Sequence, residues 1–166
     1  MLDKDFYKDD PIMEVIRANR LDDIDSLHRY FFIEKKINIL VITEKEHWNW
    51  LHRALMKPSS DNTTAEVVQF YIDHGVPINA QDVYGMTPLH YAMRSENAEA
   101  AIALLKAGAD PNIPNRDNLV PLSMIGYMPE RLDVLQLMLD SGGNVNLMIT
   151  GRTIVESYKQ IGRAHV

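Results

Sequence analysis

The sequence predicts an all-α solenoid of stacked helix-turn-helix units with β-turn tips, about four full units and a truncated fifth. Two recurrences carry this expectation. The tripeptide Thr87-Pro88-Leu89 returns as Val120-Pro121-Leu122 and again as Thr153-Ile154-Val155, an even step of about 33 residues, which is a length that stacked helix pairs repeat at. The residue two places ahead of it is Gly85, Asn118 and Gly151 in turn. Each of these takes positive φ at low cost. A second marker closes each unit: Gly75-Val76-Pro77-Ile78-Asn79, Gly108-Ala109-Asp110-Pro111-Asn112, then Gly142-Gly143-Asn144-Val145-Asn146. The step from Gly108 to Gly142 is longer by one than that from Gly75 to Gly108, which puts an extra residue between two helices around Tyr127 to Glu130.

Residues 11–40 form the N-terminal capping unit. Pro11 to Ala18 and Leu21 to Ile33 predict a helix pair ending at Ile37-Asn38, without a Thr-Pro start. Such divergence suits a terminal unit, one side of which faces water. In residues 41–81, Trp48-Asn49-Trp50 stands where Thr-Pro is expected, and Thr63-x-x-Glu66 reads as a capping box opening Val67 to Ile72. Leu51-His52 precedes Leu89-His90 by more than one step of the repeat, and the polar insertion Lys57-Pro58-Ser59-Ser60-Asp61-Asn62 absorbs the surplus. Residues 82–114 are the clearest unit. Thr87 can cap a helix through its hydroxyl, with Pro88 at the first position, where no amide donor is needed. Leu89, Ala92, Ile102, Leu104 and Leu105 then give apolar faces at helical spacing. The small Ala92, matched by Ala54, lets neighbouring helices approach closely, and Gly108 and Gly142 sit where a helix ends in a left-handed residue. Residues 115–147 repeat the pattern, and 148–160 are a truncated unit. Met13, Met124 and Met138 fall on core-facing positions.

The last six residues, Ile161-Gly162-Arg163-Ala164-His165-Val166, are what one frame of a common sequencing-adapter oligonucleotide encodes, and Gln160 fits the codon that frame would complete. Residues 161–166 are therefore expected to be non-native, with the natural chain continuing past about Gln160; the alternative is an ordinary tail.

The run from Asp82 to Ala92, continued by Leu104 to Asn112, closely resembles the ankyrin repeat, a β-turn followed by two antiparallel helices. The resemblance is good over 82–114 and 115–147, fair over 45–81, and in outline over 11–40. It implies a single domain over residues 1–160. It also implies that His52 and His90 bond the turn backbone of their own and adjacent units, and that partners dock in the concave groove lined by the tips and first helices.

Composition narrows function. The chain has 166 residues, 46% hydrophobic and 24% charged, which are values of a globular domain. Seventeen basic against 23 acidic residues leave a net charge of −6, which disfavours nucleic acid and anionic membrane and favours a basic partner. With no cysteine, disulfides, thiolate metal sites and cysteine nucleophiles are excluded. The charged N-terminus lacks a secretory core and Ile37 to Ile42 is too short to cross a bilayer, so a cytoplasmic, soluble monomer is expected.

No catalytic or cofactor site emerges. His47 and His52 are five apart, not the four that would place two ligands on one helical face, so no metal site is expected. Ser123 lies in repeat sequence and not in a nucleophile elbow, and the glycines are scattered singly, not clustered in a phosphate loop. Asp22, Asp23 and Asp25 read as a solvated helix start.

A non-catalytic protein-binding module is the leading expectation. A bacterial immunity protein neutralising a cognate toxin, or the recognition domain of a larger protein, are the alternatives; a basic nuclease toxin would suit the acidic charge. Carried across by register, the partner-binding residues are Trp48 and Met56 in the first full unit, and Tyr84, Met86 and Arg94 in the next. Arg116, Asp117, Leu119, Tyr127 and Met128 follow, then Arg152. Met86 and Met128 are expected to face outward. Trp48, Tyr84, Arg94 and Tyr127 stand out, because aromatic and arginine side chains dominate interface energetics.

Overall fold

A computed structural model describes residues 10–56, 63–149, 152–156 and 159. The Lys57–Asn62 insertion, Gly151 and the 161–166 tail lie outside the described residues. Helix α1 (Pro11–Leu21) is capped by Asp10, whose side chain accepts the Ile12 amide. Helix α2 (Ile24–His28) is capped by Asp23 and continues into a π-helical turn, Arg29–Ile33. Asp22 sits between them in the left-handed region and closes α1, so only Asp23 of the acidic trio is the cap itself. Met13, expected to face the core, is instead exposed on α1, and Val15 and Ala18 face inward.

Helix α3 (Trp50–Leu55) and α4 (Ala65–Asp73) form the next pair, followed by α5 (Pro88–Arg94) and α6 (Ala98–Lys106). The α4 start differs from the expected Thr63 capping box. Thr64, not Thr63, caps the helix by accepting the Val67 amide, while the buried Thr63 hydroxyl donates to the Ala54 carbonyl on α3. In the fourth pair the first member is a 3-10 helix, Pro121–Tyr127, packed beside α7 (Leu132–Asp140). Its N-cap is Val120, which has no side-chain oxygen to offer, and Gly126 weakens an α-helical path. A two-residue strand, β1 (Met148–Ile149), pairs antiparallel with β2 (Arg152–Thr153).

First helices pack on first helices, α3 on α5 and α5 on the 3-10 segment, while α4, α6 and α7 form the second layer. Leu51, Leu89 and Leu122 hold the same place in successive units, and all three are buried; Ala54 and Ala92 let the α3 and α5 backbones close up. Asparagines link units across the loops. Asn79 accepts the Asp110 amide at 2.9 Å, and Asn112 accepts the Asn144 amide at 2.7 Å while donating to the Gly142 carbonyl.

The N-terminal pairs are held differently. Trp50 takes the helix position that Pro88 takes in α5, and its buried ring packs edge-on to Phe31 at 5.5 Å and parallel to Tyr71. The Tyr71 hydroxyl donates to buried Asn19 at 2.7 Å. Aromatic area thus replaces repeat sequence where the first unit diverges.

Candidate functional site

The tips are aligned by backbone hydrogen bonds between units. The Val83 amide donates to the Glu46 carbonyl and the Arg116 amide to the Tyr84 carbonyl, both at 3.0 Å. Close approach requires glycine at 85: φ is +73°, and a Cβ there would meet the Arg116 nitrogen and Asn115 Cα at 3.0 Å. Asn118 and His47 occupy the same left-handed position in their own tips.

Two imidazoles brace these tips from below. His52 Nδ1 accepts the Asn49 amide at 3.2 Å, and His90 Nδ1 accepts the Thr87 amide at 3.0 Å. An acceptor Nδ1 puts the proton on Nε2, which donates to the next tip: His52 to the Met86 carbonyl and His90 to the Leu119 carbonyl, both at 3.0 Å. Burial pushes both imidazole pKa values down, against the opposing pull of those carbonyls and of Asp82. Asp82 ties the tips together sideways, taking the Tyr84 and Met86 amides on Oδ1, and the Trp48 indole and Tyr91 hydroxyl on Oδ2.

Above this bracing lies a cleft of about 520 Å³. The tips contribute Trp48, Tyr84, Met86, Arg116, Asp117 and Leu119. The first-helix side contributes Met56, Arg94 and Tyr127. These nine residues from the register argument share one cavity. Tyr84 and Tyr127 are 55% and 54% exposed, large areas for aromatic side chains to leave in water. Arg94 stacks its guanidinium over the Tyr91 ring at 4.8 Å.

Three residues differ from expectation. Met86 is buried and not outward-facing, because its amide and carbonyl are both tied down, to Asp82 and His52, and Asn115 donates to its sulfur at 3.3 Å. It reaches the cleft only as floor. Met128 is also buried, and outside the cleft lining. The tighter winding of the preceding 3-10 segment, roughly 120° per residue against 100° in an α-helix, carries it inward. Arg152 is exposed on β2 and is not among the residues lining the cleft.

Tyr91, Asn115 and Met124 line the cleft too, beyond the residues that the repeat register picks out. A tyrosine three residues before an arginine on a helix was the available signal for Tyr91, since such pairs meet on one face. Ser123 donates to the Val120 carbonyl at 2.6 Å, so its hydroxyl completes a turn. Among the described residues, no group of three or more carboxylates and imidazoles could hold a metal ion, and no helix is long and apolar enough to cross a membrane.

A sequence profile for ankyrin repeats matches residues 12–115 and 51–149, with three copies in all. An ankyrin repeat protein of fowlpox virus (strain NVSL) is 33% identical over 82 residues, covering 48% of this chain and 12% of the viral protein. An ankyrin repeat protein of Rickettsia bellii (strain RML369-C) is 40% identical over 72 residues, 42% of this chain and 43% of its own. Oxysterol-binding protein-related protein 1 of Homo sapiens is 30% identical over 88 residues, 52% of this chain and 9% of its own. The match thus spans only a small part of the viral and human proteins and under half of the rickettsial one.

Proposed function

The chain belongs to the ankyrin-repeat family, and from that premise we propose that it is a non-catalytic module docking another protein in the cleft between its tips and first helices. Ankyrin repeats are in general protein–protein interaction modules. The observation that carries the reading to the cleft is the exposure of Tyr84 and Tyr127 beside Arg94 in one cavity. The fold does not need large side chains at these places; the repeat requires its leucines, its capping residues and its imidazoles. Tyrosine and arginine are also the residue types that concentrate binding energy at interfaces.

The test compares capture by the wild-type chain with capture by a Tyr84→Ala, Arg94→Ala double variant. Each substitution is expected to weaken binding of a captured partner by ~1–3 kcal/mol. Because both side chains are exposed, the melting temperature should stay nearly constant. Undiminished capture by a folded double variant would move the docking site off this cleft.

A further inference from the structure

We infer that the cleft takes an extended acidic segment of its partner, in which a carboxylate sits beside a long aliphatic or aromatic side chain; this rests on the reading of the cleft as the docking site. The chain is rich in acid, with 23 carboxylate side chains against 17 basic ones, and some of its cations are paired within it. Arg131 reaches both Glu99 and Asp133, at 2.9 and 2.8 Å, and Arg29 reaches Glu34 at 3.5 Å. Arg94 and Arg116, both lining the cleft, form no ion pair among the described residues. The Arg94 guanidinium is held by its stacking on Tyr91, and the Arg116 backbone is fixed at its tip by its amide on the Tyr84 carbonyl. Two guanidinium groups in one cleft without carboxylate partners suit an incoming carboxylate, which their planar donor sets match bidentately.

The other polar groups agree in sign. The Trp48 indole and Tyr91 hydroxyl are already committed to Asp82. That leaves the two arginines and the exposed tyrosine hydroxyls as the cleft's main donors, with Asp117 the sole carboxylate among the described residues of its lining. The floor between them is Met56, Met86, Met124 and Leu119, an apolar and adaptable surface for an anchor side chain. Trp48, Tyr84 and Arg116 come from three successive tips, so an extended segment lying along the stack meets all of them. The net charge of −6 favours a basic partner at long range, but contact is decided by the charges lining the cleft.

The test screens the full chain against a displayed library of random linear peptides. Enriched sequences are expected to pair Asp or Glu with Leu, Met, Phe or Trp. A synthetic copy of the most enriched peptide should lose at least about tenfold in affinity on an Arg94→Gln, Arg116→Gln variant. It should bind an Arg17→Gln variant normally, because Arg17 lies on α1 outside the cleft lining. Charge reversal, Arg94→Glu with Arg116→Glu, should turn the selection toward Lys and Arg. Basic or neutral peptides that still depend on Tyr84 would overturn the acidic preference and leave the docking site standing. Peptides indifferent to Tyr84→Ala would overturn both readings, and a library that yields no binder would overturn the linear-segment inference alone.

Discussion

The Trp48 indole donates to the Asp82 carboxylate at 3.0 Å, joining the tips of two successive units side chain to side chain. The same carboxylate takes the Tyr91 hydroxyl at 2.6 Å and the Tyr84 and Met86 amides at 2.9 Å. Burial alone would raise the Asp82 pKa, but these donors outweigh it and hold the group below its ordinary value. The Tyr91 hydroxyl is pushed up, by burial first and then by the adjoining carboxylate. Cleft wall and repeat scaffold therefore meet in one residue.

Removing that carboxylate should cost more than removing any one of its donors. Asp82→Ala strands the buried Tyr91 hydroxyl and Met86 amide, along with the part-buried Trp48 indole N–H and Tyr84 amide, and each fully buried group left unsatisfied costs roughly 1–3 kcal/mol. Trp48→Phe strands only one lone pair of a carboxylate that keeps three other donors. In urea melts Asp82→Ala should be the more damaging by over about 1 kcal/mol. Equal losses would show that the shared carboxylate does not organise the tips.

The stack should be sensitive at its leucine row and indifferent outside it. Leu89 is 1% exposed between α3 and the 3-10 segment, so Leu89→Ala is expected to cost roughly 2–5 kcal/mol. Leu132, 69% exposed on α7, is the matched control, and Leu132→Ala should change stability by no more than about 0.5 kcal/mol. Thermal melts of the two variants decide it; a small loss at Leu89 would mean that the units are not packed through this row.

The repeat was legible in sequence wherever its cause is local. Gly85 and Asn118 mark tips because left-handed backbone favours those residue types, and Thr87-Pro88 marks a helix start because cap and first turn are adjacent. His47 adopts the same left-handed geometry, yet histidine is not a usual marker of it, so that tip was harder to read. Register alone brought nine cleft residues together, since solenoid geometry repeats with the sequence. What escaped depends on partners far along the chain. Trp50 fits the proline position only because Phe31 and Tyr71 surround it, and Met86 turns inward only because Asp82 and His52 bind its backbone.

Acid should loosen the tips before it reaches the carboxylates. His52 and His90 are held neutral, and burial lowers their pKa values from an ordinary 6.5. Below that ordinary value the unfolded chain binds protons that the folded chain refuses, so this stabilisation is complete above pH 6.5 and declines as pH falls beneath it. The Asp82 contribution follows lower down, lost as pH falls below its ordinary 3.8. Histidine NMR titration checks the first step: both imidazoles should be Nε2-protonated tautomers titrating below 6.5. Ordinary or raised values would contradict the bonding assigned to them.

The adjoining pair Tyr127 and Met128 should separate binding from stability. In an α-helix, neighbours at the end of a first helix could both look toward the cleft. The 3-10 winding of Pro121–Tyr127 ends with Tyr127 54% exposed and Met128 2% exposed, its amide bonded to the Ile125 carbonyl at 2.9 Å. Met128→Ala should then open a cavity and cost ~2–5 kcal/mol. Tyr127→Ala should leave stability within about 0.5 kcal/mol while weakening whatever the cleft binds. Denaturant melts of both variants, read beside peptide affinities for the folded ones, give two independent signs. Were Tyr127→Ala the destabilising change and Met128→Ala the neutral one, the segment would be wound as an ordinary α-helix, and Met128 would return to the cleft side where the repeat register first placed it.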